Sequence, residues 1–403
     1  MSVIKVDAAS HSYDVFVDEF TLDQLGEVCR DVSGGDACCI VSDSNVAPLY
    51  LPRAKASLEA AGYTVSSFVF EAGEQSKTLQ TYAQAQQAFA HAGLTRSSLV
   101  VALGGGVVGD LAGFAAATYM RGIRCVQVPT SLLACVDSSV GGKTAVDLPE
   151  GKNLVGAFFQ PDAVLIDTSL LATLPEHFLI DGFGEVLKYG VIFDKELFAQ
   201  LEACAASDMR LPEVIGRCVE LKRDVVVADE KEAGARQLLN FGHTLGHAVE
   251  KLSNFTVTHG FAVACGMVLV AKASVARGWL SAADAMRIES TVRAWGLLAE
   301  TEEPASAIYE AALADKKRHG STMNVVVASE IGMSRIETLT LDDFRAFVHD
   351  ACVWRFKPVK CSQRLTGRRE ICESKVDGVR CVWPRASLAK PVKRYEHLTG
   401  RRS

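Results

Sequence analysis

The sequence predicts an open, largely parallel α/β sheet over residues 1–178, a mainly α-helical domain over 179–350, and a basic tail over 351–403. Three observations carry this expectation. At 403 residues the chain exceeds the length at which one hydrophobic core stops growing. Short β-branched runs alternate with helix-patterned stretches in the first half, and from about Pro175 the pattern turns almost wholly helical. The charge is also divided: 351–403 holds fourteen Lys/Arg against four Asp/Glu, although the whole chain carries a net −6.

The strands come first. Cys38–Ser42, Ser98–Leu103, Arg124–Val128 and Ala163–Ile166 are short apolar runs of the kind buried on both faces of a parallel sheet. Thr78–His91 and Asp110–Met120 lie between them with helical patterning, which calls for right-handed crossovers. Beyond Thr322, MNVVVASEIG predicts one short strand inside the helical half.

Composition bounds the function classes. A hydrophobic content of 49% with 22% charge fits a well-packed globular protein. The start, MSVIKVDAAS, has neither a secretory nor a transit pattern, and twelve scattered cysteines form no CxxC; the expected compartment is the reducing cytoplasm. Leu99–Met120, the most apolar stretch read from sequence, holds Asp110 and five glycines, so no membrane span is expected there. The tail repeats KPVK (Lys357, Lys390) and LTGRR (Leu365, Leu398) at an offset of 33 residues, and Cys352, Cys361, Cys372 and Cys381 lack zinc-site spacing. Its basic charge would suit nucleic acid, but the favoured reading is a poorly ordered appendage with no assigned partner.

Two segments carry chemistry. Ser98–Leu103 runs into GGGVVGD, Gly104–Asp110, and then into a helix: a Rossmann-like strand–glycine turn–helix arrangement whose free N–H groups suit a pyrophosphate. Close packing of strand and helix asks for the same glycines, so this turn alone does not decide for a dinucleotide. SVGGKT at Ser139–Thr144 imitates the end of a P-loop, but Asp137 stands where its first glycine belongs, which excludes a nucleoside triphosphatase.

The second segment is ARQLLNFGHTLGHAVEK, read as one helix. Leu238, Phe241, Leu245 and Val249 form its apolar stripe; Arg236, Asn240, His243 and His247 lie opposite. Thr244 in HTLGH excludes the HExxH protease motif. A solvated face explains the histidine pair as well as a metal does. His259 before a glycine and Glu185, three residues from Lys188, complete a three-ligand set of the kind that leaves positions open on a catalytic zinc.

At this point the blocks resemble those of 3-dehydroquinate synthases over roughly residues 30–335. They are GEQSK (Gly73–Lys77), GGGVVGDLAGFAAATYMRG (Gly104–Gly122), VPTSLLACVDSSVGGKTAVD (Val128–Asp147), GKNLVGAF (Gly151–Phe158), GEVLKYG (Gly184–Gly190), ADE (Ala228–Glu230), LNFGHTLGHA (Leu239–Ala248), HG (His259–Gly260) and DKK (Asp315–Lys317). The resemblance implies an NAD-binding α/β domain followed by a helical metal-binding domain, and a homodimer. It implies Zn2+ or Co2+ on Glu185, His243 and His259, with His247 as an active-site histidine. NAD would lie on Asp43, Asn45, Glu74, Lys77, Gly106, Val107, Val108, Gly109, Asp110, Thr130, Ser131, Lys143, Lys152 and Thr173.

Substrate contacts would fall to Arg121, Asp137, Lys143, Lys152, Asn153, Lys188, Lys222, Arg236, Asn240, Lys316 and Lys317. The implied substrate, 3-deoxy-D-arabino-heptulosonate 7-phosphate, carries a phosphate and a carboxylate, groups that Lys and Arg suit. The implied reaction runs through transient oxidation, β-elimination of phosphate, re-reduction, ring opening and an intramolecular aldol. Other sugar-phosphate cyclases, such as valiolone or deoxy-inosose synthases, and metal-dependent polyol dehydrogenases share the pattern. Lys222, Arg236 and Asn240 favour the carboxylate-bearing substrate; Lys152, Asn153 and Arg121 speak against a polyol. One departure stands out: the family usually has HGE where this chain has His259, Gly260 and Phe261.

Overall fold

In a computed structural model, the described residues are 2–204, 209–314, 318–319, 321–353, 371–376 and 379–384. Nine strands belong to the first half: β1 (Ser2–Asp7), β2 (Ser12–Asp18), β3 (Ala37–Asp43), β4 (Thr64–Phe70), β5 (Leu99–Gly104), β6 (Arg124–Pro129), β7 (Lys143–Leu148), β8 (Gly151–Phe158) and β9 (Ala163–Asp167). Seven of them form a sheet in the order β1-β2-β9-β6-β5-β3-β4, parallel except for the β1–β2 hairpin. The four strands expected from sequence are β3, β5, β6 and β9. Their side chains alternate between two buried layers. Ile40, Leu99, Val101 and Val126 pack with α1 (Leu25–Val32) and α2 (Ala47–Ala60), while Val41, Val100 and Ala102 pack with α3 (Leu79–His91) and α4 (Gly106–Thr118).

Topology singles out one crevice. From β3 the chain moves outward to β4, then returns to the other side of β3 as β5 and continues to β6. The carboxyl ends of β3 and β5, at Asp43 and Gly104, therefore flank a switch point, where open α/β sheets bind ligands. The α4 helix starts there, four residues earlier than sequence patterning suggested, and ends at Thr118 because Met120 turns left-handed (φ 47°). Lys143 opens a strand of the separate β7–β8 hairpin rather than a helix, so SVGGKT is no P-loop.

The second half packs around one helix. Its helices are α5 (Glu176–Ile192), α6 (Lys195–Ala203), α7 (Leu211–Ala228), α8 (His243–Leu252), α9 (His259–Ala276), α10 (Ala282–Ala294), α11 (Ala305–Leu313) and α12 (Leu341–Val353). A small sheet of β10 (Arg318–His319), β11 (Thr322–Glu330) and β12 (Met333–Thr340) adds to them, β11 being the strand expected after Thr322. Among the described helices α9 alone has the length and hydropathy of a membrane span, a feature not read from sequence; 72% of that span is buried, wrapped by α5, α8, α10 and α12.

Residues Met1–Trp354 cohere as one compact unit, and Arg355–Ser403 form another. In the latter, Ile371–Val376 and Val379–Pro384 pair antiparallel.

One expectation needs correction. ARQLLNFGHTLGHAVEK is not a continuous helix: Ala235–Asn240 is a 3-10 turn, and α8 starts only at His243. Gly242 between them has φ +77°, and a Cβ there would meet Met267 and the Val263 carbonyl at 2.7 Å. The approach of α9 sets this break, and the local apolar period could not report it. Arg236, expected on a polar face, is consequently almost fully buried at 1% exposure.

Candidate metal and substrate site

Three helices deliver three ligands because glycines let their backbones touch. A Cβ on Gly260 of α9 would lie 1.8 Å from the Asp181 carbonyl of α5, and one on Gly266 would lie 2.0 Å from the Gly242 carbonyl before α8. Those two crossings bring Glu185 (α5), His243 (α8) and His259 (α9) together, with ligand atoms all within 4.8 Å of one another. We expect Gly260→Ala to separate α5 from α9 at a cost of about 1–3 kcal/mol, with metal binding weakened as well. Thermal unfolding and metal content check this; an unchanged Tm with full metal would contradict it.

The donor set fits a divalent cation. Glu185 is fully buried; its Oε1 lies 3.5 Å from His243 Nε2 and 3.4 Å from His259 Nε2, yet has no hydrogen-bond partner. Such a buried, unsatisfied carboxylate oxygen is costly unless a cation completes it. His243 Nδ1 lies 3.1 Å from the Phe241 carbonyl, which can only accept, so Nδ1 carries the proton and Nε2, facing Glu185 Oε1, is the ligand nitrogen. Burial alone would disfavour a charged His259, but Glu185 and Glu250 outweigh it and lift the imidazole to about 10. Burial likewise pushes Glu185 up, and Lys188 with His259 more than reverses it. Glu185 Oε2 accepts from Lys188 Nζ, itself buried at 1% exposure.

A polar floor surrounds this triad. Lys222 Nζ on α7 donates to Asp137 Oδ1 at 2.6 Å and to the Asp137 carbonyl at 2.5 Å, and Tyr189 donates to the same carboxylate at 3.2 Å. Burial lowers Lys222 to about 8, Asp137 offsetting only part of the loss. Asp137 titrates well below the carboxylate range, because Lys222 and Lys188 overcome its own burial. Arg236 donates through Nη1 to the Glu230 carbonyl and through Nη2 to Gly141 O at 2.8 Å, while its buried Nε keeps no partner. Glu232 joins Lys143 to Asn240, and Lys152 Nζ reaches Glu250 Oε1 at 2.6 Å. The His247 ring centroid lies 5.3 Å from that of His243 and 5.7 Å from that of His259.

At the sheet's switch point, Gly105 precedes α4, leaving the first-turn N–H groups of Gly106, Val107 and Val108 outside the helix ladder; Gly109 N–H is already committed to Gly105 O. This cradle suits a pyrophosphate. Asp43 Oδ1 accepts from the Asn45 and Val46 N–H groups and shapes the turn after β3. Lys77 gathers Glu74 at 2.9 Å, Asp110 at 3.2 Å and Asp147 at 3.8 Å. Burial lifts Asp110 to about 6 despite Lys77. Thr130, buried at the end of β6, donates its N–H to Gly104 O, with Ser131 next to it.

Arg121 is exposed in a left-handed turn, Asn45 donates its backbone N–H to Asp43 Oδ1 at the end of β3, and Thr173 pairs with Tyr50. Lys316 and Lys317 lie outside the described residues. Conversely, sequence reasoning missed Glu232, Glu250 and Asp147, each a carboxylate held on a site lysine. Asp147 closed a motif block and could have been flagged; the other two are identified only by their partners in space.

Comparison with known proteins agrees with this geometry. The family model for the 3-dehydroquinate synthase N-terminal domain matches residues 67–181, and that for the C-terminal domain matches 182–318. The chain is 43% identical over 351 residues to 3-dehydroquinate synthase of Streptococcus gordonii, covering 86% of this chain and 99% of that protein. Among solved structures it is similar to 2-deoxy-scyllo-inosose synthase complexed with carbaglucose-6-phosphate, NAD+ and Co2+ (TM-score 0.79, 26% identity, 87% of this chain and 100% of that one). It is also similar to 2-epi-5-epi-valiolone synthase of Streptomyces hygroscopicus with NAD+ and Zn2+ bound (TM-score 0.77, 28% identity, 85% and 97%). Both family models, the extent of the identity and the converged Glu–His–His triad lead to one conclusion: the chain belongs to the 3-dehydroquinate synthase family.

Proposed function

We propose that this member of the family converts 3-deoxy-D-arabino-heptulosonate 7-phosphate to 3-dehydroquinate and phosphate, as a phosphate-eliminating lyase with NAD and zinc as resident cofactors. The observation that carries the metal assignment is the fully buried Glu185 Oε1, without a hydrogen bond and facing two imidazole nitrogens at 3.4 and 3.5 Å. Glu185, His243 and His259 would hold the metal, while the Gly106–Val108 amides, Asp43 and Thr130 would hold the dinucleotide. When bound, the metal orients and acidifies adjacent hydroxyls, and NAD+ takes up and returns a hydride.

The chain's own groups divide the remaining work. Lys152, Asn153 and Lys143 present cation and amide donors to the substrate phosphate; Asn153 is held in a left-handed conformation (φ 55°) with its N–H on Asp147 Oδ1 at 2.7 Å. Lys188 stays protonated, since Glu185 and Asp137 overcome its burial, and supplies fixed positive charge. Lys222 Nζ, at about 8, holds a proton that can be released close to neutral pH. Arg236 Nε and Asn240 suit the substrate carboxylate and hydroxyls, and His247, its ring 5.3 Å from that of His243, would accept or deliver a proton beside the metal triad.

Protein supplied with NAD+, Zn2+ and the heptulosonate phosphate should release inorganic phosphate without accumulating NADH. Sustained NADH formation from glycerol-like alcohols, with no phosphate release, would overturn the reading in favour of a polyol dehydrogenase.

Seven buried free cysteines among the described residues support a reducing cytoplasm, and the family resemblance supports a homodimer. A monomer mass in sedimentation at micromolar concentration would refute the latter. Removing residues 354–403 should leave turnover largely intact, since the relatives are matched almost end to end by 351 residues of this chain. A collapse in turnover on truncation would show that the tail contributes to the catalytic unit.

A further inference from the structure

Glu250 lies in the last turn of α8, buried at 6% exposure, where no carboxylate was expected at the site. Its Oε2 is 3.6 Å from His259 Nδ1, and its Oε1 is 2.6 Å from Lys152 Nζ. On the other edge of the same ring, His259 Nε2 faces Glu185 Oε1 at 3.4 Å. Four groups from α5, α9, α8 and β8 thus stand in a row: Glu185, His259, Glu250, Lys152.

An imidazole that gives one nitrogen to a cation needs its other N–H held by an acceptor. Otherwise neither tautomer nor ring orientation is fixed. Position 261, two residues after His259, holds Phe261, which offers no acceptor side chain, and its backbone N–H donates to Asp181 Oδ1 at 3.1 Å. Among the described residues the carboxylates paired with the His259 ring are Glu185, on the ligand side, and Glu250, on the far side. Ligand atoms of His247, Glu250 and His259 also lie within 4.8 Å of one another. Lys152 at 2.6 Å from Glu250 argues against a second cation there, because its ammonium already occupies that carboxylate.

We propose that Glu250 is the positioning carboxylate of this metal centre: it holds His259 by Nδ1 and ties that ligand to Lys152, the residue assigned to the substrate phosphate. The inference rests on the metal reading above. Because Lys152 and His259 share one carboxylate, loss of Lys152 leaves Glu250 wholly to the histidine.

The test uses metal-free full-length protein titrated with Co2+ alone, read by competition with a chromophoric chelator and by the visible spectrum of the bound ion. Glu250→Gln, nearly isosteric, should weaken Co2+ binding by about 10–100-fold and alter the spectrum. The metal-free variant should still fold but melt below the parent chain, because the charge facing Lys152 and His259 is gone. Glu250→Asp, which keeps the charge but shortens the reach, should fall between the two, and Lys152→Gln should bind Co2+ at least as tightly as the parent chain. If Glu250→Gln does not fold, the Glu250→Asp and Lys152→Gln pair decides by the same ordering. A folded Glu250→Gln, or Glu250→Asp in its place, with parental affinity and spectrum would overturn the proposal. A parent chain that binds no Co2+ would instead overturn the metal reading itself.

Discussion

His243→Ala should abolish metal binding and turnover together while leaving the metal-free protein folded. The imidazole is locked by its Nδ1 contact to the Phe241 carbonyl, so its Nε2 has one direction in which to act, toward Glu185 Oε1. Removing a ligand outright should cost more than the roughly 10–100-fold in affinity lost when only a supporting partner is removed. The fold loses little, because the α8–α9 crossing is set by Gly242, Gly246 and Gly266 rather than by this side chain. Glu185→Ala should behave differently. It strips Lys188 of its closest counter-charge at 1% exposure, and breaking such a buried pair costs about 3–5 kcal/mol, so stability falls along with metal. Metal content and thermal unfolding of the two variants separate the cases; His243→Ala with full metal content would refute the ligand assignment.

Metal affinity should rise steeply with pH. In the metal-free chain His259 titrates at about 10, above its ordinary 6.5, because two carboxylates favour the imidazolium. A raised pKa means that this group's contribution to stability is complete below 6.5 and lost as pH climbs through about 10. A cation must displace that proton, so affinity should change about tenfold per pH unit between neutrality and that value, roughly a thousandfold in all. Calorimetric titration with Zn2+ in buffers of different ionisation enthalpy should show about one proton released per ion near pH 7. A pH-independent affinity with no proton release would contradict the electrostatic picture of the site.

The parts of the fold legible in sequence are those whose burial is uniform. β5 is buried along its whole length, so SLVVAL announces itself; β3, β6 and β9 do so for the same reason. β1, β2 and the β7–β8 hairpin mix exposed and buried positions and gave no such signal. The break at Gly242 escaped because its cause, contact with Val263 and Met267 of α9, lies more than twenty residues away. Glu185, His243 and His259 were legible as chemistry through residue type and through the family blocks. Their supports, Glu250 on His259 and Glu232 between Lys143 and Asn240, exist only once distant segments meet. The departure at Phe261 concerns a sequence neighbour of His259, whereas α8 brings Glu250 to that ring from nine residues upstream.

The most direct test is an anomalous-scattering map, collected at the zinc edge, from crystals grown with Zn2+. One strong peak should appear bonded to Glu185 Oε1, His243 Nε2 and His259 Nε2 at about 2.0–2.2 Å. A map with no peak among these three side chains, or with the ion bound elsewhere in the chain, would contradict it.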